Sequence, residues 1–181
     1  MKAIITDFDG TLFDTRRANF EAYRTALEDA GYVLSEETYN KLFGMRFDDL
    51  MRYLSVAPDL WETVKKKKAE NYRKQVHLIR VNEDLLKFLE SEHSNGVRIA
   101  VASTARLENI KTVLKHFVIE NLFDCIVSGE DVEHPKPFPD VYMKALEKLH
   151  MKSGDAIAFE DTDMGVASAR NAGIKCIKVI I

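Results

Sequence analysis

The chain has 181 residues, of which 46% are hydrophobic and 30% are charged, with only 8 glycines and 4 prolines. This composition excludes a disordered, collagen-like or low-complexity polypeptide and predicts a globular protein with a sizeable core. The 26 basic and 29 acidic residues give a net charge of −3, so neither nucleic acid nor an anionic membrane is an expected partner. An apolar stretch of about 18 residues, as a membrane span needs, is missing from the sequence. We therefore expect a cytoplasmic protein.

Short apolar runs rich in β-branched residues are typical of strands buried on both faces of a parallel sheet. Five such runs occur, at residues 3–6, 98–102, 125–127, 156–159 and 175–180. Segments with apolar residues at helical spacing separate them, and this alternation predicts an α/β fold with a doubly wound parallel sheet. Ligands of such sheets bind beyond the carboxyl ends of the strands, so the polar residues that follow the runs are the candidate site.

A long helical segment interrupts the alternation after the first strand. Its apolar spacing predicts four consecutive helices at residues 16–30, 35–42, 47–54 and 58–76. Gly31, Gly44 and Pro58 separate these helices. The sequence therefore predicts two domains: a core of residues 1–14 and 82–181, and a helical cap of residues 15–81.

The segment Asp7-Phe8-Asp9-Gly10-Thr11 follows the first predicted strand. Gly10 permits a tight turn that brings both carboxylates toward the end of the sheet. Two carboxylates whose pKa values differ can divide the work of nucleophile and proton donor. The pattern alone also allows a simple turn. A calcium loop fits less well, because Thr11 stands at a ligand position and the final glutamate is missing.

Four segments in order resemble the motifs of the haloacid dehalogenase-like hydrolase superfamily. Asp7 to Thr11 matches the first motif, DxDx[TV], and Val101-Ala102-Ser103-Thr104 resembles the second, a hydroxyl residue at a strand end. Lys136, within His134 to Asp140, resembles the third motif, and Phe159 to Gly165 is similar to the acidic fourth motif. The helical insert resembles the C1 cap of the β-phosphoglucomutase/phosphoglycolate phosphatase branch. The resemblance covers essentially the whole chain.

This resemblance implies a Mg²⁺-dependent phosphatase that hydrolyses a small phosphomonoester through an aspartyl-phosphate. It implies that Asp7 is the nucleophile and that Asp9 is the acid and base. The other implied roles are phosphate binding by Ser103, Thr104 and Lys136, and metal binding by Asp7, the backbone carbonyl of Asp9, Asp161 and, directly or through water, Glu160. Asp163 is a less favoured metal ligand. Arg46 and Arg106 are candidate contacts to the substrate, a small phosphorylated metabolite.

Two other functions remain open on the sequence. The first is a phosphosugar mutase of the β-phosphoglucomutase type, although Asn19 stands where such mutases carry a cap histidine. The second is a non-catalytic module that binds a phosphorylated ligand. The expected assembly is a monomer or a small homo-oligomer.

Overall fold

The computed structural model of this chain describes residues 1–43 and 45–181. Gly44, which the sequence predicts as a break between two helices, lies outside the described residues. In the part of the chain that the structure describes, no helix is both long and apolar enough to cross a membrane.

The chain divides into two compact units. The first consists of Met1–Asp14 and Arg80–Ile181, and the second is Thr15–Ile79. The first boundary lies between Asp14 and Thr15, and the second lies between Ile79 and Arg80. The second lies two residues before the expected boundary, because Arg80 and Val81 pair with the end of the N-terminal segment of the first unit.

The first unit is built on a parallel sheet of five strands in the order β5-β4-β1-β6-β7. The strands of the chain are β1 (Ala3–Thr6), β2 (Phe13–Asp14), β3 (Arg80–Val81), β4 (Arg98–Ala102), β5 (Cys125–Val127), β6 (Ala156–Glu160) and β7 (Lys175–Lys178). Strand β1 lies in the centre and pairs in parallel with both β4 and β6. The predicted α/β fold with a parallel sheet is confirmed.

Both faces of the central strand are buried, which explains its continuous apolar sequence. Ala3 and Ile5 pack in a cluster that includes Tyr142 and Leu146, whereas Ile4 is fully buried outside that cluster. Successive side chains of a strand point to opposite faces, so this division places apolar residues on both sides of the sheet. Burial on both faces is what a doubly wound sheet requires.

The helices of the first unit follow the strands. They are α5 (Glu83–Ser94), α6 (Leu107–His116), α7 (Asp140–Leu149) and α8 (Asp163–Asn171). Two of them begin with a side chain that caps the helix. The side chain of Asn82 accepts a hydrogen bond from Leu85 N at the start of α5, and Thr162 accepts one from Gly165 N at the start of α8. Such caps satisfy backbone donors that the helix itself leaves unpaired.

Strands β2 and β3 form a separate antiparallel pair of two residues each. This pair was not among the predicted strands. Hydrophobic periodicity needs at least four residues to identify a strand, so a two-residue strand gives no periodic signal. The pair joins the two chain segments at which the helical unit begins and ends.

The second unit is helical, as expected. Its helices are α1 (Arg16–Glu28), α2 (Glu36–Leu42), α3 (Phe47–Tyr53) and α4 (Trp61–Lys74). The longest predicted helix, residues 58–76, is divided: a 3₁₀ turn at Pro58–Leu60 precedes α4, and another at Val76–Leu78 follows it. A core of its own holds this unit together, with Leu27, Met51 and Val64 buried among its members.

Val118, which follows α6, has a strained backbone conformation. It has a φ of 59° and is 88% exposed. A β-branched residue is disfavoured in the left-handed region, where glycine is common after a helix. We expect Val118→Gly to raise the free energy of unfolding by about 1 kcal/mol, measured by urea denaturation.

Val33→Gly is the matched control, because Val33 is 86% exposed and has no positive φ. We expect no gain in stability from this control, since glycine there only adds freedom to the unfolded chain. Equal effects of the two substitutions would contradict the assignment of strain to Val118.

Candidate active site

Three neighbouring strands end at one edge of the sheet. Asp7 follows β1, Ser103 follows β4, and Glu160 ends β6 with Asp161 directly after it. Because these strands are parallel, their carboxyl ends lie side by side. The sheet thus brings together polar residues that are far apart in the sequence.

A tight turn shapes the segment after Asp7. Gly10 has a φ of +91° and donates its N–H to the carbonyl of Phe13 at 2.8 Å, while Phe13 N donates to Phe8 O at 3.0 Å. The rings of Phe8 and Phe13 are fully buried, with centroids 4.8 Å apart. These apolar anchors hold the turn and fix the backbone that carries Asp9.

Gly10 also leaves space for a carboxylate of the fourth motif. A Cβ atom at this position would lie 2.3 Å from Asp161 Oδ2. The next residue, Thr11, donates its hydroxyl to Asp161 Oδ1 at 3.2 Å. The turn after β1 therefore both admits Asp161 and orients it.

Lys136 links the nucleophile candidate to the fourth motif. Its Nζ donates to Asp7 Oδ1 at 2.6 Å, to Ala102 O at 3.1 Å and to Glu160 Oε1. Only 8% of the Lys136 side chain is exposed. A buried charge is tolerated when it is paired and hydrogen-bonded, and all three contacts serve this purpose.

Glu160 is buried and has both carboxylate oxygens engaged. Oε1 accepts from Lys136 and, at 3.1 Å, from the Tyr142 hydroxyl. Oε2 accepts from Asp161 N at 3.0 Å, from Thr162 N at 3.3 Å and from Thr162 Oγ1 at 3.2 Å. Gly165 makes room for this carboxylate, since a Cβ there would lie 1.9 Å from Glu160 Cδ.

The electrostatics of the cluster follow from burial and from the excess of carboxylates. Burial raises the pKa of Asp7 to about 7, Lys136 opposes this shift, and Glu160 and Asp9 reinforce it. Burial lowers the pKa of Lys136, but Asp7 and Glu160 outweigh that effect, so the pKa lies above its usual value. Lys136 is therefore a fixed positive charge beside Asp7.

Asp7, Glu160 and Asp161 could hold a metal ion. One carboxylate oxygen from each lies within 4.8 Å of the others. Burial raises the pKa of Asp161, and Glu160 adds to this effect. Hard oxygen donors of this kind suit Mg²⁺, which typically takes only one or two protein carboxylates and keeps several waters. Because both Glu160 oxygens already accept hydrogen bonds, Asp7 and Asp161 fit direct contact better than Glu160 does.

The hydroxyl residues of the second motif occupy different environments. Ser103 is 1% exposed, and its Oγ accepts a hydrogen bond from Ala105 N at 3.0 Å. Its own O–H can therefore still donate to a ligand. Thr104 is exposed, and its carbonyl lies against Gly129, where a Cβ would approach to 2.4 Å. The backbone after Ser103 therefore packs closely against Gly129.

The other predicted residues lie in more exposed surroundings. Asp9 is half-buried, and Arg46 is exposed in the helical unit just before α3. Arg106 pairs with Glu130 at 3.2 Å. Asp163, the less favoured metal ligand, is 94% exposed in its side chain and pairs with Lys178 at 2.6 Å. It does not join the carboxylate cluster.

Tyr142 contacts the cluster but was missed in the sequence analysis. Its position in α7 follows the apolar spacing of Val141, Ala145 and Leu146, and it is indeed fully buried with them. This spacing indicated only a core residue. The remaining signal was its type, since a buried tyrosine hydroxyl usually finds a hydrogen-bond partner.

Comparison with known proteins identifies the family of the chain. The family model described as haloacid dehalogenase-like hydrolase matches residues 4–179. The chain belongs to this family. The matched range includes Asp7, Lys136, Glu160 and Asp161.

Individual relatives match the chain over nearly its full length. A phosphorylated carbohydrates phosphatase of Thermotoga maritima is 30% identical, with 100% of this chain and 86% of that protein covered. The crystal structure of CbbY from Rhodobacter sphaeroides in complex with phosphate has a TM-score of 0.91 and 27% identity, covering 100% and 87%. The β-phosphoglucomutase of Bacillus subtilis is 24% identical, covering 99% and 83%.

These matches confirm the predicted superfamily and its β-phosphoglucomutase/phosphoglycolate phosphatase-like branch. They also confirm the prediction of an enzyme of the phosphatase type. The roles of the individual site residues stay predictions.

The pKa of Asp7 leads to a prediction about stability. The folded-state pKa of about 7 lies above the ordinary value of 3.8, so the folded protein retains a proton that the unfolded chain has lost. The free energy of unfolding of the metal-free protein therefore falls as the pH rises from 3.8 to about 7. Asp7→Asn cannot ionise, and we expect it to raise Tm by about 5 °C near pH 8, with a smaller change near pH 4.5.

Thermal unfolding in EDTA measures this effect. Asp163→Asn is the control, because the hydrogen bond from Lys178 lowers the pKa of that exposed carboxyl group. We expect Asp163→Asn to give no increase in Tm near pH 8. The account of Asp7 fails if Asp7→Asn shifts Tm equally at both pH values or if Asp163→Asn gives the same gain.

Proposed function

We propose that this chain is a Mg²⁺-dependent phosphatase that hydrolyses a small phosphomonoester by phosphoryl transfer to Asp7. The observation that carries the proposal is the ammonium group of Lys136, which lies 2.6 Å from Asp7 Oδ1 at the carboxyl end of β1. A phosphomonoester and an attacking carboxylate repel each other, and a fixed cation offsets this repulsion. The neighbouring carboxylates provide oxygen ligands for a divalent cation.

Asp7, Asp161 and the backbone carbonyl of Asp9 would hold the metal ion. Glu160 would contribute through water, because its two oxygens accept hydrogen bonds from protein donors. When bound, Mg²⁺ would favour the ionised form of Asp7 and offset the negative charge of the phosphoryl oxygens.

The chain's own residues would divide the reaction into two steps. An Asp7 oxygen bonds to phosphorus while the bond to the leaving-group oxygen breaks, and Asp9 gives that oxygen a proton. Asp9 then accepts a proton from the water that attacks phosphorus, which releases phosphate and restores the Asp7 carboxylate. Ser103, Thr104 and Lys136 would bind the phosphoryl oxygens throughout.

The substrate class is a small phosphorylated metabolite such as a sugar or organic-acid phosphate. The relative named as a phosphorylated carbohydrates phosphatase supports this choice. Arg106 would serve a second anionic group of the substrate if it left its partner Glu130, and Arg46 is a further candidate contact. The assembly we propose is a monomer or a small homo-oligomer.

A phosphosugar mutase is the second candidate, and the similarity to a β-phosphoglucomutase favours it. Its weakness is Asn19, which stands at the place of the mutase histidine. The Asn19 amide nitrogen donates to Thr15 O at 3.3 Å, and its Oδ1 accepts from Lys68 at 2.8 Å. An amide side chain cannot act as an acid or a base near neutral pH, whereas histidine can. Hydrolysis is therefore the better-supported reaction.

Phosphate release from p-nitrophenyl phosphate and from a panel of phosphorylated metabolites tests the proposal. We expect turnover with Mg²⁺, loss of turnover with EDTA, and a decrease in kcat of at least about 1,000-fold in Asp7→Asn. Conversion of a hexose 1-phosphate to its isomer without free phosphate would identify a mutase. Ligand-induced stabilisation without any turnover would identify a non-catalytic binding module. Full activity of Asp7→Asn would contradict the proposed nucleophile.

Gly10 allows a second test of the same site. An alanine Cβ would collide with Asp161 Oδ2, so Gly10→Ala must displace this carboxylate. We expect kcat/KM to fall by about 100-fold, as a shift of catalytic groups by about an ångström does.

Gly96→Ala is the matched control, because Gly96 has a φ of +85° but no atom within 4 Å of a Cβ there. Both variants carry backbone strain, and only Gly10→Ala disturbs Asp161. A similar loss of activity in the two variants would show that strain alone, rather than the position of Asp161, explains the effect.

A further inference from the structure

Tyr142 contributes a buried hydroxyl group at the back of the Asp7–Lys136–Glu160 cluster. The residue lies in α7 and is fully buried in the core between helices and sheet. Its hydroxyl donates to Glu160 Oε1 at 3.1 Å. Its ring lies beside the Lys136 ammonium group, with Nζ 5.3 Å from the ring centroid. A single side chain thus contacts both partners of the ion pair.

Glu160 determines where the Lys136 ammonium group lies. Lys136 divides its hydrogen bonds between Asp7 Oδ1, Glu160 Oε1 and the carbonyl of Ala102. Any movement of Glu160 therefore draws the cation toward Asp7 or away from it. The Tyr142 hydroxyl bonds to the same Glu160 oxygen as Lys136 does. A carboxylate oxygen can accept both hydrogen bonds, so the hydroxyl helps to hold this oxygen in place for Lys136.

The Tyr142 ring fixes the cation from another direction. An ammonium group within about 6 Å of an aromatic centroid is attracted to the ring face, and the attraction grows when water is excluded. Packing in the core immobilises this ring, so the contact does not depend on a flexible side chain. The hydroxyl and the ring together define one position for Lys136.

We propose that Tyr142 is a positioning residue that holds Glu160 and Lys136 in the arrangement in which the ammonium group stays against Asp7. Tyr142 would act through these two residues, because its hydroxyl bonds to Glu160 and its ring lies beside Lys136. The effect on catalysis rests on the proposed phosphatase function. The effect on Lys136 is a property of the folded chain and does not need a substrate.

Tyr142→Phe removes only the hydroxyl, and phenylalanine fills the same space, so the variant keeps the ring beside Lys136. We expect kcat with p-nitrophenyl phosphate and Mg²⁺ to fall by about 10-fold, as when an outer partner of a catalytic group is lost. KM should remain within about 2-fold, because Tyr142 does not contact the substrate. Tyr142→Leu also removes the ring, and we expect it to lower kcat further than Tyr142→Phe does.

The matched control is Tyr32→Phe in the helical unit. Tyr32 OH accepts a hydrogen bond from Ala57 N at 3.0 Å, so this control also removes one tyrosine hydroxyl and its hydrogen bond. We expect its kcat to equal that of the unmodified chain. A decrease in kcat of the same size in both variants would overturn the proposal, because it would show only a general effect of lost stability.

A second readout does not depend on activity. ¹⁵N NMR follows the ammonium group of Lys136 in the metal-free protein, and the signal is assigned by its loss in Lys136→Met. We expect faster hydrogen exchange of this group in Tyr142→Phe and unchanged exchange in Tyr32→Phe. Unchanged exchange in Tyr142→Phe would overturn the proposal even if kcat decreased.

The two readouts separate the two hypotheses. If the unmodified chain turns over no phosphomonoester, the proposed function fails, and the exchange measurement alone decides the role of Tyr142. If the unmodified chain is active and Tyr142→Phe matches it in kcat and in exchange, the phosphatase proposal stands and the positioning role is overturned.

Discussion

The buried ammonium group of Lys136 is the contact on which the arrangement of the site depends. It joins Asp7 after β1 to Glu160 at the end of β6 and also bonds to the carbonyl of Ala102 in β4. Three adjacent strands are thereby linked through one cation. Without it, two buried carboxylates would lie close together with no compensating charge, which is strongly unfavourable. In the proposed reaction, the same cation would offset the repulsion between Asp7 and an anionic phosphoryl group.

Space for this cluster comes from residues without a side chain. Gly10 admits Asp161, and Gly165 admits the carboxylate of Glu160. Glu160 then holds the backbone of Asp161 and Thr162 through its other oxygen. The turn after β1 and the start of α8 are thus fitted to each other around charged side chains. Close packing of this kind fixes the positions of catalytic groups before a substrate binds.

Much of the fold could be predicted from the sequence, because strands buried on both faces have a strong apolar signal. The runs at residues 3–6, 98–102 and 125–127 coincide with β1, β4 and β5, whereas β7 ends two residues earlier than expected. The strand pair of β2 and β3 was too short for any periodic pattern. In the site, the gathering of Asp7, Glu160 and Asp161 followed from their places at the ends of strands, whereas only the resemblance to a family motif indicated Lys136. The hydrogen bonds that occupy Glu160, and the part of Tyr142 in them, depend on side-chain contacts between distant segments, which spacing along the chain does not encode.

The proposed reaction requires that Asp7 itself becomes phosphorylated during turnover. The enzyme is mixed with a phosphomonoester that it hydrolyses, and the reaction is quenched rapidly. Borohydride then reduces an aspartyl phosphate to homoserine, and peptide mass spectrometry locates the modified residue. We expect homoserine at position 7 only when substrate and Mg²⁺ are both present, and none in Asp7→Asn. Homoserine at another carboxylate, or efficient turnover with Asp7 unmodified at every quench time, would contradict the proposed reaction.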